Sequence, residues 1–244
     1  MELTRRKLAD SREAAQRLIE AGRVTVDGQA ADKPARMVLD SAAVVVTGEP
    51  GEEFASRGAH KLIGALDAFV PLGLAAPHGR HCLDAGASTG GFTDVLLRRG
   101  AAAVIAADVG YGQLIWRLQQ DARVTVLDRT NIRHLTVADL PYRPDLIVAD
   151  LSFISLRLVL PALTDVVTSD GDLVLMVKPQ FEVGRDRLGR GGVVRDPELW
   201  EEAVAGVTTA AETLGWSGQA TERSPLPGPA GNVEFFVWLK STTR

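Results

Sequence analysis

Asp84, Asp108, Asp128, Asp150 and Lys178 each close a short apolar run, and acids and an amine so spaced can bind and activate a ligand. The first of them opens the stretch Asp84-Ala85-Gly86-Ala87-Ser88-Thr89-Gly90-Gly91-Phe92. Before it, 80–83 reads as the end of a buried strand. After it, 92–99 reads as a helix with apolar Val95 and Leu96, closed by Gly100. A strand that turns through glycines into a helix N-terminus offers backbone N–H groups and a partial positive charge, and glycine lets that backbone come close. The spacing is D-x-G-x-x-x-G-G, not the G-x-G-x-x-G of dinucleotide sites. A plain tight turn would have the same composition. However, a second strand, 103–108, ends in Asp108, an acid suited to ribose hydroxyls, and the two together favour a nucleoside cofactor.

The lysines suggest the second half of the chemistry. Lys178 ends the apolar run 173–177 and Asp150 ends 145–149. A lysine beside an aspartate, and near a second lysine, can have its pKa lowered by burial and like charge. It can then take or steer the proton of a weakly acidic hydroxyl. Lys61 and His60 fall in the first turn of a helix expected from Ser56 to about Phe69, where the helix dipole disfavours a cation. That points to a task, although an exposed lysine without one reads the same.

The elements that must position these groups alternate. Strands are expected at 103–108, 124–127, 145–150, 173–177 and 233–239, with Glu234 near the start of the last. Helices follow Gln113, follow Ser152 as a cap to about Val167, and span 197–214. This predicts a doubly wound, Rossmann-like α/β sheet with an antiparallel edge strand, whose ligands sit at the carboxyl ends of its parallel strands. A basic, glycine-rich loop at 184–192 carries Arg185, Arg187 and Arg190.

At 244 residues with 45% hydrophobic and 24% charged side chains, the chain suits a large globular domain with a small companion. No apolar run is long enough to span a membrane, and the charged N-terminus is unlike a secretory leader, so a cytoplasmic location is expected. The single cysteine, Cys82, excludes an internal disulfide and a multi-cysteine metal site; no metal is expected. A net charge of −4 argues against a uniformly basic nucleic-acid binder, so any RNA surface is local.

Such a surface is expected at the start. Arg5, Arg6 and Lys7 precede Ser11, a plausible N-cap, and Ala14, Ala15, Leu18 and Ile19 form a helical apolar stripe ended by Gly22. Arg23-Val24-Thr25-Val26-Asp27-Gly28 reads as a strand and hairpin turn, and 44–46 as a second strand. The helix and G-x-V-x-V-x-G strand resemble the S4 RNA-binding fold, a small α+β module, without its usual R-L-D opening, so the module is expected to be shortened at its start. The domains expected are therefore 1–48, S4-like; 49–58, a linker; and 59–244.

The turn 84–92 resembles the D-L-G-A-A-P-G-G-W turn of FtsJ-like ribose 2′-O-methyltransferases. S-R-G-A-H-K-L, D-L-S-F-I-S, K-P-Q-F-E and P-L-P-G-P-x-G-N-x-E resemble the TlyA (hemolysin A) family, which joins an S4 module to an FtsJ-like domain. The resemblance covers nearly the whole chain. It implies S-adenosylmethionine as cofactor and a cytidine 2′-hydroxyl of ribosomal RNA, free or in ribosomal subunits, as the target. It assigns a Lys61, Asp150, Lys178, Glu234 tetrad to catalysis. It implies that Asp84, Gly86, Ser88, Thr89, Gly90, Gly91 and Phe92 form the cofactor turn, with Gly86, Ser88 and Gly90 at the methionine end. Asp108 would hold the ribose, Asp128 would lie near the adenine, and Asp150 would face both cofactor and target. RNA contacts are expected from Arg5, Arg6, Lys7, Arg12, Arg23, Arg57, Arg185 and Arg187, and from Phe153 by stacking.

Rival readings are weaker. An amino-methyltransferase would want prolines after Asp150, where Leu151-Ser152-Phe153 stand, and a base C5-methyltransferase would want a cysteine near that site, whereas Cys82 lies on another strand. A non-catalytic RNA-binding protein and a membrane-lytic protein remain as non-enzymatic alternatives.

Overall fold

Ser11 accepts a hydrogen bond from the Ala14 N–H at 3.0 Å, and this cap starts the second helix of the computed structural model. The structure describes residues 2–9, 11–20, 23–31, 33–47 and 54–242. The chain divides into two units, Met1–Arg57 and Gly58–Arg244. In the first, helices α1 (Glu2–Arg5) and α2 (Arg12–Glu20) cover strands β1 (Val24–Val26), β2 (Gln29–Ala30) and β3 (Val44–Val46), in the order β2-β1-β3. Leu3, Ala15, Leu18, Val24, Val26, Ala31 and Ala42 make its core. Asp27 and Gly28 take φ of 51° and 78°, the left-handed pair that a two-residue hairpin requires. Gly22, the expected stop of α2, and residues 48–53 of the expected linker region lie outside the described residues.

The second unit begins with α3 (Gly58–Phe69) and continues through β4 (His81–Ala85), α4 (Gly91–Arg98), β5 (Ala103–Ala107), α5 (Trp116–Gln119), β6 (Val124–Leu127) and β7 (Leu146–Ala149). Then come α6 (Leu160–Val166), β8 (Asp172–Val177), α7 (Pro179–Glu182), α8 (Pro197–Glu212), β9 (Trp216–Arg223) and β10 (Phe235–Ser241). The seven strands run β6-β5-β4-β7-β8-β10-β9, with β4 to β8 parallel and β10 antiparallel to both of its neighbours. The expected Rossmann-like sheet is thus present, and its antiparallel part is a pair rather than one strand.

The period of two along each strand sorts side chains between the two faces. Leu83, Ile105, Ile147, Leu175, Val177 and Val237 join α6 and α8 in the main core. The alternate residues face the helices α3 and α4: Phe236 meets Phe92 at 6.0 Å between ring centroids, Trp238 meets Phe69 at 6.3 Å, and Asp84 meets Thr93. Met176 shares that face, because its sulfur lies 4.0 Å from Lys61 Nζ.

Local departures have physical causes. The helix expected from Ser152 begins only at Leu160, because Phe153 adopts a left-handed φ of 64° that no helix can propagate through. Ser155 is the residue that caps, accepting from Arg157 N–H at 3.2 Å to start a 3-10 turn at Leu156–Leu158. Strand β9 was not individually expected; an edge strand with mostly solvent-facing side chains has little apolar alternation to read.

Candidate active site

Both expected lysines are buried, and each meets a carboxylate. Lys178 Nζ lies 2.6 Å from Asp150 Oδ1 and donates to Ser152 Oγ at 2.9 Å. Among the described residues nothing else donates to that Asp150 oxygen; the contact is an ion pair and not an aligned hydrogen bond. Lys61 Nζ meets Glu234 Oε2 at 2.5 Å, with Glu234 only 1% exposed. Glu234 precedes β10 and does not sit within it; Phe235 pairs with Val177, so one further step of that register sets Glu234 opposite Lys178. The misplaced cation at the start of α3 is therefore answered from across the sheet. Gly228 supports the pair, since a Cβ there would stand 2.6 Å from Glu234 Oε1.

The glycine turn abuts this cluster. At Gly86, φ is 87° and a Cβ would meet the Asp150 carbonyl oxygen at 2.7 Å. At Gly90, φ is 99°, so both glycines are required by conformation, and Gly86 by space as well. Ser88 is also left-handed at φ 47°, and its N–H donates to Asp108 Oδ2 at 2.8 Å. The other Asp108 oxygen accepts from Gly110 N–H at 2.7 Å, and Asp128 accepts from Gly112 N–H at 3.0 Å. The expected ribose and adenine acids thus also shape the loop that follows β5, which reaches back when Ser88 Oγ meets Gln113 at 3.2 Å and Ile115 N–H meets the Thr89 carbonyl at 3.3 Å.

Asp84 and Phe92 have inward tasks. Asp84 Oδ2 accepts from the Thr93 N–H at 2.8 Å and its hydroxyl at 2.7 Å, fixing the start of α4, while Oδ1 is buried without a partner among the described residues. Desolvation pushes the Asp84 carboxyl up to about 7, against the two Thr93 bonds. Phe92 is a core side chain on Phe236, and Gly91 is the buried first residue of α4. Burial likewise pushes the Cys82 thiol up to about 12, which removes it as a nucleophile.

The expected RNA contacts scatter. In the first unit Lys7, Arg12 and Arg57 are exposed. Arg5 pairs with Glu2 and with Asp40 at 2.7 Å, and Arg6 bonds Glu2 and the carbonyls of Leu39, Asp40 and Ala42, a task within the fold. Arg23 donates to the Thr47 carbonyl at 2.5 Å. In the second unit Phe153 is 91% exposed, and its ring lies 5.4 Å from that of Phe181. Arg187 pairs with Glu202, and the Arg185 side chain lies outside the described residues. Sequence reasoning read Ser152 only as a helix cap, and gave no role to Glu182 or to Asn232, which accepts from Val194 N–H at 2.9 Å and donates to the Gly192 carbonyl at 3.1 Å. All lie inside the quoted motifs, which was the available signal. A cavity of about 530 Å³ between α8 and the β9–β10 pair lies on the opposite face of the sheet from Lys61 and Glu234.

The family model for FtsJ-like methyltransferases matches residues 54–241. Over 242 residues the chain is 57% identical to the 16S/23S rRNA (cytidine-2′-O)-methyltransferase TlyA of Mycobacterium tuberculosis, covering 99% of this chain and 89% of that protein. The chain belongs to the TlyA (hemolysin A) family of FtsJ-like methyltransferases. An S4 domain model matches residues 2–44 of this FtsJ-like protein. A solved Streptococcus thermophilus structure that bears the hemolysin name is 39% identical, with a TM-score of 0.78 over 97% of this chain and 85% of that one. An S-adenosylmethionine dependent methyltransferase from Mesorhizobium loti, 16% identical over 72% of this chain and 95% of its own, has a TM-score of 0.53 and shares the fold alone. No helix among the described residues of the FtsJ-like chain is long and apolar enough to cross a membrane.

Proposed function

We propose that this protein transfers a methyl group from S-adenosylmethionine to the ribose 2′-hydroxyl of a cytidine in ribosomal RNA. The observation that carries the reading is the pairing of Lys178 with Asp150 and of Lys61 with Glu234 where the glycine turn meets the end of β7. S-adenosylmethionine would supply an electrophilic methyl on a sulfonium cation. The fit is supported by a turn with no room for a Cβ at Gly86 and by strand ends rich in carboxylates, which favour a cation over a pyrophosphate. Gly86, Ser88 and Gly90 would hold the methionine end, Asp108 the ribose, and Asp128 the adenine side.

The protein's part is alignment. Lys178 has three donor directions; Asp150 and Ser152 take two, which leaves one for a substrate hydroxyl. Donating in this way, Lys178 would steer the hydroxyl, and the proton that the hydroxyl gives up on methylation would pass to the Asp150 carboxylate, or to Lys178 itself once its own proton has moved to Asp150. Orientation of this kind is worth about 7–11 kcal/mol. The S4 unit, with exposed Lys7 and Arg12, would recruit the RNA, and Phe153 offers a face for stacking a base. Ribosomal RNA or ribosomal subunits, met in the cytoplasm, are the partners on this reading.

The test is transfer of a labelled methyl group to ribosomal RNA, followed by digestion that separates ribose from base label. Label on ribose is expected, and label on the base overturns the reading. Lys178→Ala should keep its melting temperature and cofactor affinity while single-turnover rate falls by ~10²-fold or more. Lys178→Arg should not rescue it, because a guanidinium stays protonated and has another shape. Wild-type rates in Lys178→Ala would remove that residue from the mechanism.

A further inference from the structure

The segments that carry Lys178 and Asp150 are joined a second time, beyond that pair. Lys178 leads through Pro179 into α7, and Asp150 leads through Ser152 and Phe153 into the 3-10 turn at Leu156–Leu158. Glu182, the last residue of α7, is buried; its Oε1 accepts from Leu156 N–H at 2.7 Å and its Oε2 from the Ser155 hydroxyl at 2.6 Å. Arg157 closes the contact from outside, with Nε 3.3 Å from Oε2 and the guanidinium donating to the Glu182 carbonyl at 2.8 Å. The Glu182 carboxylate takes no part in closing α7, which Val183 N–H does on the Pro179 carbonyl.

Between these anchors sits Phe153, an aromatic residue with φ of 64°. A bulky side chain keeps a left-handed backbone only where its surroundings over-determine it. Ser152, just before, is held by Lys178, and Ser155 and Leu156, just after, are held by Glu182. The geometry points to Glu182 as a positioning residue that keeps the 152–156 loop in its strained form and thereby fixes Ser152 and Asp150 around Lys178. This inference rests on the catalytic reading of the Lys178–Asp150 pair. Without the carboxylate, Phe153 can relax to ordinary backbone and carry Ser152 away from Lys178 Nζ. The chemical step should suffer and cofactor binding should not.

The full-length protein and its Glu182→Ala and Glu182→Gln variants separate this from a purely structural role. Glutamine keeps a carbonyl acceptor for Leu156 N–H and a polar partner for Ser155. Amide exchange at Leu156 should quicken by about tenfold or more in Glu182→Ala and stay close to wild type in Glu182→Gln. Single-turnover methylation of ribosomal RNA at saturating RNA and cofactor should fall by roughly tenfold or more in Glu182→Ala, with a shifted pH profile and unchanged S-adenosylhomocysteine affinity. Glu182→Gln should recover most of that rate. Unchanged Leu156 exchange would show that no such hold exists. Faster exchange with a lower melting temperature but a wild-type rate and pH profile would make Glu182 merely structural. Should Glu182→Ala fail to fold, Ser155→Ala removes only the hydroxyl bond and is judged by the same readouts. A wild-type protein that leaves ribose unmethylated retires the proposed function, while the exchange measurement still decides whether Glu182 holds the loop.

Discussion

Replacing Glu234 should unfold the larger unit more easily as well as stop the chemistry, and the structure sets the size of the effect. Its carboxylate is 1% exposed and lies 2.5 Å from Lys61 Nζ, whose side chain is 11% exposed. In Glu234→Gln the lysine keeps a neutral acceptor but loses its counter-charge where water hardly reaches. Breaking such a pair from one side costs about 3–5 kcal/mol. At about 2–4 °C per kcal/mol for a domain of this size, Tm should fall by roughly 6–20 °C. Removing both charges at once, as in Lys61→Met with Glu234→Leu, should restore most of the loss, because no unpaired ion remains. Activity should stay absent in the double variant, since neither apolar side chain can hold a hydroxyl. Thermal melts, cofactor titration and single-turnover methylation of the three proteins decide the matter. A Glu234→Gln protein that melts like wild type, or a double variant less stable than Glu234→Gln, would refute a buried, coupled pair.

Further outcomes follow from other parts of the site. Gly86→Ala must place a Cβ 2.7 Å from the Asp150 carbonyl at a φ of 87°, so calorimetric affinity for S-adenosylhomocysteine should drop by about tenfold or more. Asp84 binds a proton more tightly folded, near 7, than unfolded, near 3.8; its contribution is complete below about pH 4 and is lost as pH rises through 7. That lift is on the order of 4 kcal/mol, so Asp84→Asn should flatten the decline in chemical-denaturation stability between about pH 4 and pH 7. Replacing exposed Lys7 and Arg12 by alanine should weaken RNA binding and leave cofactor affinity unchanged. The logarithmic salt slope of RNA binding should shrink by about 0.7–0.9 for each phosphate that is no longer neutralised.

The parallel sheet was readable because strands covered on both faces are continuous apolar runs, and 146–149 and 173–177 are such runs. Asp150 and Lys178 were readable because each ends one of them. Glu234 was harder: read as a residue near a strand start, it is instead buried, because β10 enters beside β8 and delivers it to α3. No local pattern encodes that crossing. Ser152 and Ser155 offer the same cap chemistry three residues apart, and only the left-handed backbone of Phe153 decides between them. Arg6 was read from its charge as an RNA contact, yet the carbonyls that occupy it belong to a loop distant in sequence. Roles that depend on long-range partners were visible only through motif resemblance.

The position of β10 also orders events in time. It is synthesised after β9 yet lies between β8 and β9. Until it inserts, two strand edges stay open and Lys61 has no counter-charge, while the glycine turn between β4 and α4 is already encoded and can form. On the proposed reading, a nascent chain can therefore form the glycine turn that would hold its cofactor before Lys61 and Glu234 meet. Assembly of the centre then waits on a late, non-local strand insertion, which is slow compared with local folding. On the proposed reading, a protein that modifies the ribosome would become competent only after its own translation has passed that strand.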